Sequence, residues 1–325
     1  MICPDFLCWR LNLNVNSPNF KKMAVSVVIV TVGAKDYLKS CLDSIFSQNY
    51  SVAEIIVIDN SLKPGFIQEI KKLYPSVKVF SATENLFFAQ GMNQGINLSR
   101  HEFVLCLNDD TVLDKDFIQE ALKGFSLDRK IGLVSGKILR WDKKTLDSTG
   151  LFLSLWRTAK ERGYGKPDSG QFEKSGFIFG VSGAVAFYRR QMLEAIKKNG
   201  DYFDSRFKMF YEDLDLAWRA NKSGWRGYYI PSALAYHLRG GSFRPDSGIG
   251  KAIARKYLDN QLHYCLIKNR YLTILKNETF FSLVLHFIPI LAYDLCVWGY
   301  VLIFAPGTAR LFLGRFLTKL NRNTR

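Results

Sequence analysis

Residues 105–110, Leu105-Cys-Leu-Asn-Asp-Asp110, close an apolar run that begins at Phe103 and stops abruptly at an amide and two carboxylates. A short apolar run bounded by polar residues reads as a buried strand. Open α/β sheets bind ligands just beyond the carboxyl ends of their strands. Hard divalent cations take oxygen ligands and commonly bridge carboxylates to phosphate groups. The stretch therefore suggests a cation holding a phosphorylated ligand, although an acidic pair after a strand is also ordinary turn or helix-cap chemistry. The surrounding segments decide between the two.

Working outward, residues 25–30 are β-branched and apolar, as a central parallel strand should be. Leu38, Cys41, Leu42, Ile45 and Phe46 then recur at helical spacing. A second strand over 54–58 ends at Asp59, a helix over 66–73 leads to a strand over 77–80, and a helix over about 89–98 leads back to the 103–107 strand. This alternation predicts an α/β, Rossmann-like, mostly parallel sheet with flanking helices. Residues 133–174, rich in Gly, Trp and charge, are predicted to be loop-rich and to form the other wall of a cleft. A strand with a Ser182-Gly183-Ala184 turn over 177–188, a helix near 189–196, a helix over 214–222 ended by Gly224, and a strand over 228–230 follow.

The chain has 325 residues, 48% of them hydrophobic and 14% aromatic, which excludes a disordered polymer. Forty-five Lys and Arg against 29 Asp and Glu give a net charge of +16. Such an excess favours polyanions: nucleic acid, anionic lipid or phosphorylated substrates. No helix-turn-helix, zinc-finger or RNA-recognition signature accompanies it, so no nucleic-acid partner is expected. The 6 cysteines show no paired metal spacing; Cys41 and Cys106 fall on apolar positions, and a reduced, cytosol-facing protein is expected. Residues 1–22 lack an uninterrupted apolar core, which argues against a cleaved signal peptide and makes them an N-terminal extension, with Met23 an alternative start of the folded part.

Residues 280–305 are strongly apolar but contain His286, Pro289, Asp294 and Gly299. A central Asp in a spanning helix costs roughly 2.5–3.5 kcal/mol, so a re-entrant or interfacial hairpin is expected. In the tail, Leu313, Phe316, Leu317 and Leu320 share one helical face and Arg315, Lys319 and Arg322 the other, while 307–325 contains no acid. That composition suits a helix on an anionic membrane surface, the alternative being a helix packed on the domain with a solvated basic face.

Four segments resemble glycosyltransferase family 2, an inverting GT-A family, and in particular its bacterial rhamnosyltransferase-like branch. Val27-Val-Ile-Val-Thr31 and Ile56-Val-Ile-Asp59-Asn60-Ser61 are similar to the first two strand ends of that family, which embrace the nucleotide. Asn85-Leu-Phe-Phe-Ala-Gln-Gly91-Met-Asn93-Gln-Gly95-Ile is similar to its donor-binding signature, and Leu107-Asn108-Asp109-Asp110-Thr111 to its variant metal motif. Phe210-Tyr-Glu-Asp213-Leu-Asp215 resembles the family's Glu-Asp motif, and Ala235-Tyr-His237-Leu-Arg-Gly-Gly-Ser follows at the family's spacing.

The resemblance implies Asp213 as general base, and Asp110 and His237 as ligands of Mg²⁺ or Mn²⁺. It implies Thr31, Asp59, Asn85, Asn93, Asn108 and Asp109 as donor contacts, with the glycines allowing close approach of the donor. It further implies a nucleotide-sugar donor, dTDP-rhamnose or a UDP-sugar, and a glycan or polyprenyl-diphosphate-linked acceptor in cell-surface polysaccharide assembly at the cytoplasmic face of the membrane. The catalytic domain is expected over 23–275, with a nucleotide-sugar half to about 116 and an acceptor half beyond it, and a membrane-associating region over 276–325. Val32-Gly33 stands where the family usually has Tyr-Asn, and Phe87 where it usually has Gly. A nucleotidyltransferase would share the sheet and metal but should carry a Gly-, Arg- and Lys-rich loop, of which Thr31-Val-Gly-Ala-Lys35 is a poor version. A non-enzymatic membrane-binding protein would leave the ordered acidic motifs unexplained.

Overall fold

The computed structural model describes residues 23–239 and 259–323, with side chains to Arg315. The N-terminal extension and the glycine pair after Arg239 lie outside the described residues.

Strands β1 (Val25–Thr31), β2 (Glu54–Asp59), β3 (Lys78–Ser81) and β4 (Phe103–Asn108) form the parallel half of a 10-stranded mixed sheet. Helices α1 (Lys35–Phe46), α2 (Phe66–Leu73) and α3 (Phe87–Leu98) connect them. Side chains alternate between the two faces: Val27 and Ile29 pack with Leu38, Leu42 and Ile45, whereas Val28 and Val30 pack with Ala89, Met92 and Ile96. Each such fully buried aliphatic side chain contributes roughly 1.5–3 kcal/mol. Both faces of β1 are covered, which is why its sequence is a continuous apolar run. The parallel register sets Thr31 opposite Asp59, and Val30 opposite Asn108. The polar ends of three strands are thereby level with one another.

Beyond β5 (Thr111–Leu113) and α4 (Phe117–Leu127), the expectation of a loop-rich 133–174 is only partly met. Strand β6 (Ile131–Arg140), 10 residues long and almost wholly buried, runs through the middle of the sheet. Its Lys137 disguises it, because the ammonium is buried and reaches Asp168 at 3.0 Å and also Glu173. Short strands β7 (Leu146–Ser148), β8 (Leu151–Leu153) and β9 (Ala159–Glu161) follow. The expected strand–turn–strand resolves into β10 (Gly176–Ile178) and β11 (Val185–Arg189), the latter antiparallel to β4. After α5 (Arg190–Ile196) and α6 (Glu212–Lys222), β12 (Arg226–His237) pairs with β6 in parallel. Its register shifts between Ile230 and Leu234, which accommodates Pro231, a residue with no N–H to donate.

Helices α7 (Asn260–Asn277), α8 (Phe280–Leu285), α9 (Phe287–Phe304) and α10 (Pro306–Asn323) complete the chain. Helix α9 is long and apolar enough to cross a membrane by length and composition, and little of it is buried. Asp294 within it pairs with the buried Arg270 of α7, so the charge faces the protein. Phe280, Phe281, Ile288 and Ile303 are all at least 71% exposed, an apolar surface well beyond scattered single residues. On α10, Arg315 bonds Gln261 and lies over the Tyr264 ring; the side chains of Lys319 and Arg322, on its expected basic face, and those of Phe316, Leu317 and Leu320 lie outside those described.

Candidate active site

Asp110 ends the β4 turn, and His237 ends β12 directly opposite Thr111 of β5. The Asp110 Oδ1 and His237 Nε2 atoms are 3.2 Å apart, and both side chains are buried. The other ring nitrogen, Nδ1, lies 2.8 Å from Asp147 Oδ2. Burial alone would lower the imidazole, but its bonds to Asp110 and Asp147 outweigh that and push it up to about 9. Burial pushes the Asp147 carboxyl up, yet the bond from His237 and the Arg239 guanidinium hold it down at about 2.

A divalent cation fits the pair. Adjacent ligands of an octahedral cation at about 2.1 Å are separated by about 3 Å, close to the spacing of the two donor atoms. One carboxylate and one imidazole suit Mg²⁺ or Mn²⁺ when phosphate and water complete the shell. No third Asp, Glu, His or Cys joins them in a metal-holding group among the described residues.

Asp213 enters the site from the first turn of α6. Its Oδ2 accepts from the Gly183 N–H at 3.1 Å, and its Oδ1 from its neighbour Leu214 at 2.7 Å. Ala184, next to Gly183, accepts from the Asn108 N–H at 3.0 Å. Two bonds thus bring the acidic helix start to the end of β4. The backbone leading into α6 is left-handed at Lys208, Phe210 and Tyr211, with φ of 62°, 68° and 72°. Three such non-glycine residues store strain of the kind found at functional sites. Burial raises the Asp213 carboxyl, and raises that of Glu212 further through the neighbouring Asp213 charge. Glu212 Oε2 is buried without a hydrogen-bond partner, consistent with a carboxyl kept neutral.

Two of the expected donor contacts, Thr31 and Asn93, are also bonded within the protein. The Thr31 hydroxyl is fully buried, donates to Asp109 Oδ2 at 2.6 Å and accepts from the Gly33 N–H at 3.0 Å, so it supports Asp109. Asn93 donates to the Phe203 carbonyl at 2.7 Å and accepts from the Tyr202 and Phe203 N–H groups, which ties α3 to the 202–203 segment. The glycines of α3 also serve packing: a Cβ on Gly95 would lie 2.2 Å from Val28 Cγ1, and one on Gly91 would lie 3.1 Å from Val30. Asp59 accepts from the Ser61 N–H at 2.8 Å, exposed Asn85 accepts from the Phe87 N–H at 2.8 Å, and Asn108 is half-buried at its strand end. Burial and the adjacent Asp110 charge push Asp109 up to about 6, against the Thr31 bond.

Sequence reasoning missed Asp147 and Glu161. Glu161 accepts from the Ser148 hydroxyl and from Ser182; burial and the nearby Asp213 and Asp147 charges push it up to about 7. The one available signal was Leu146-Asp147-Ser148-Thr149-Gly150, an acid set among apolar and small residues with no helical period.

A mixed α/β sheet with acidic strand ends, an Asp–His pair and a helix-borne Asp at its rim defines a GT-A-like transferase fold. The family model for "Glycosyl transferase family 2" matches residues 26–197, and the chain belongs to that family. The chain is similar to the poly-β-1,6-N-acetyl-D-glucosamine synthase of Staphylococcus epidermidis, 24% identical over 236 residues, covering 70% of this chain and 52% of that protein. It spans about half the length of the curated relatives it matches. Among solved structures it resembles S. aureus TarS residues 1–349 in complex with UDP-GlcNAc, with TM-score 0.55 and 18% identity over 79% of this chain and 68% of that one. It also resembles the mannosyltransferase PcManGT from Pyrobaculum calidifontis in complex with GDP-Man and Mn²⁺, with TM-score 0.52 and 16% identity over 89% and 72%.

Proposed function

We propose that this chain transfers a sugar from a nucleoside-diphosphate donor to a glycan or lipid-linked glycan hydroxyl with inversion at the anomeric carbon. The observation that carries the proposal is the gathering of Asp110, His237 and Asp213 at one end of the sheet through the Asn108–Ala184 and Gly183–Asp213 bonds. In this reading Asp110 and His237 hold Mg²⁺ or Mn²⁺, which when bound neutralises charge on the departing diphosphate. Asp213 accepts the proton of the acceptor hydroxyl while that oxygen attacks the anomeric carbon and the carbon–oxygen bond to the diphosphate breaks. Its two backbone N–H donors fix the carboxylate, so little reorganisation precedes proton transfer. Asp59, Asn85, Asn108 and Asp109 line the donor side.

The resemblance to the rhamnosyltransferase-like branch supports dTDP-rhamnose. The UDP-GlcNAc bound by TarS and the N-acetylglucosamine polymer made by the staphylococcal synthase support a UDP-sugar as second reading. The catalytic domain spans 23–275, with the donor half to about 116, and residues 276–325 seat it on the cytoplasmic face of an anionic membrane in surface-polysaccharide assembly. Exposed Leu155 and Trp156, at the tip joining β8 and β9, extend that seat: Trp156 stacks on Tyr293 of α9 with ring centres 6.1 Å apart. Release of nucleoside diphosphate from a panel of donors, by wild type and Asp213→Asn, tests the reading. Donor turnover unaffected by the substitution contradicts it.

A further inference from the structure

We propose that Asp147 is a positioning residue for the cation site: by accepting the Nδ1–H of His237 it orients the ring so that Nε2, beside Asp110, is the nitrogen whose lone pair is free for a cation. The inference rests on the metal reading above and adds a residue to it. An ionised carboxylate can only accept, so the 2.8 Å contact from Asp147 Oδ2 assigns the hydrogen to Nδ1. The second nitrogen is then the one turned toward Asp110 at 3.2 Å. Metal-bound histidines generally donate their other N–H to a carboxylate or carbonyl, and that outer partner sets ring orientation and ligand basicity.

Three features make Asp147 a rigid support rather than a third ligand. It is 1% exposed on β7, whose Leu146 pairs with Leu139 of β6. Its Oδ1 accepts from Arg239 Nε and lies 3.6 Å from Arg140 Nε, so the oxygen not used by His237 is held by cations. Its hydrogen bond reaches the ring nitrogen on the side away from Asp110. Arg140 and Arg239 also flank the Tyr164 ring, at 4.9 and 4.7 Å, which packs both guanidinium groups in place around Asp147.

Two measurements on the full chain test this. Mn²⁺ is titrated by electron paramagnetic resonance in the presence of UDP or dTDP. Wild type is expected to bind, Asp110→Ala to lose binding, and Asp147→Asn to bind 10–100-fold more weakly. Thermal unfolding in EDTA checks that the variants fold. Second, the 4 histidines of the chain are labelled with ¹⁵N in wild type, and the His237 signals assigned by their loss in His237→Gln. With Mg²⁺ and nucleotide bound, Nδ1 is expected to carry the hydrogen. A Nε2–H tautomer in wild type overturns the proposal even if Asp147→Asn fails to fold, and so does unchanged Mn²⁺ affinity in a folded Asp147→Asn. If wild type binds no Mn²⁺ at all, the metal reading fails and this inference with it. Normal binding that depends on Asp110 but not on Asp147 overturns this inference alone.

Discussion

Asp110 and His237 approach to 3.2 Å although they reach the site on different elements, one just past β4 and the other at the last residue of β12. The cross-strand pairing of Thr111 with His237 fixes that approach, and the Leu238 N–H adds a 2.8 Å bond to the Asp110 carbonyl. In the proposed reading, a pair so held supplies two fixed ligands for a hard cation. Chelation with EDTA is therefore expected to abolish turnover, and Mg²⁺ or Mn²⁺ to restore it. Asp110→Ala is expected to weaken nucleoside-diphosphate binding, read by calorimetry, because Asp110 would hold the cation whose charge would offset that of the diphosphate. Full activity after exhaustive dialysis against EDTA contradicts the metal site.

Asp213→Asn keeps the shape of the side chain and cannot take a proton. Donor binding is expected to persist, while turnover falls 10²–10⁴-fold, the usual contribution of a positioned base. Burial raises the Asp213 carboxyl, so the base is available only above a pH higher than the ordinary aspartate range near 3.9. Turnover should fall as pH drops through that raised value. An acid limb at or below pH 4 in wild type would show that Asp213 titrates as an exposed carboxyl.

How much of this was legible in the sequence depends on which residues face two ways. Strands β1, β2 and β4 are covered on both faces, so their apolar runs and polar ends could be read directly. Strand β6 is equally central but was hidden by Lys137, whose partners Asp168 and Glu173 are distant in sequence. Thr31 and Asn93 carry the right chemistry to bind a ligand, and their bonds to Asp109 and to the 202–203 backbone are visible only in the structure. Asp147 had no local signal tying it to His237, because their contact spans 90 residues of chain. The Glu212-Asp213 pair was legible because acids at the start of a helix stand out against the apolar-periodic residues that follow.

Phe87 stands where the family resemblance expects glycine, and its φ of 54° shows why. A left-handed conformation costs an L-residue roughly 1–2 kcal/mol that glycine avoids. Phe87→Gly is therefore expected to be more stable than Phe87→Ala by about 1 kcal/mol, reversing the usual order at a helix start. Both variants lose the Lys208 contact over the ring, at 4.6 Å, so the comparison isolates the backbone. Thermal or urea unfolding of the two variants checks it; equal stability would mean that the left-handed backbone is not retained.

Membrane seating should depend on the exposed apolar face of α8. Phe280 is 84% exposed and Phe281 80%. Replacing both by Ser is expected to reduce co-sedimentation with anionic vesicles severalfold while leaving donor turnover unchanged, since neither residue lies near Asp110 or Asp213 in the sequence or among their described contacts. Lowering salt should strengthen wild-type binding, because attraction of the basic tail is then least screened. Vesicle binding indifferent to both the double substitution and salt contradicts the membrane reading.

In the proposed function, sugar transfer from a nucleotide donor runs through Asp110, His237 and Asp213. Its most direct measurement is nucleoside-diphosphate release by the purified chain with Mn²⁺ across dTDP-rhamnose, UDP-GlcNAc and related donors, with Asp213→Asn in parallel. The expected result is Mn²⁺-dependent release from at least one donor that drops by 10²-fold or more in Asp213→Asn. Release from no donor, or release that the substitution and EDTA leave unchanged, contradicts the claim.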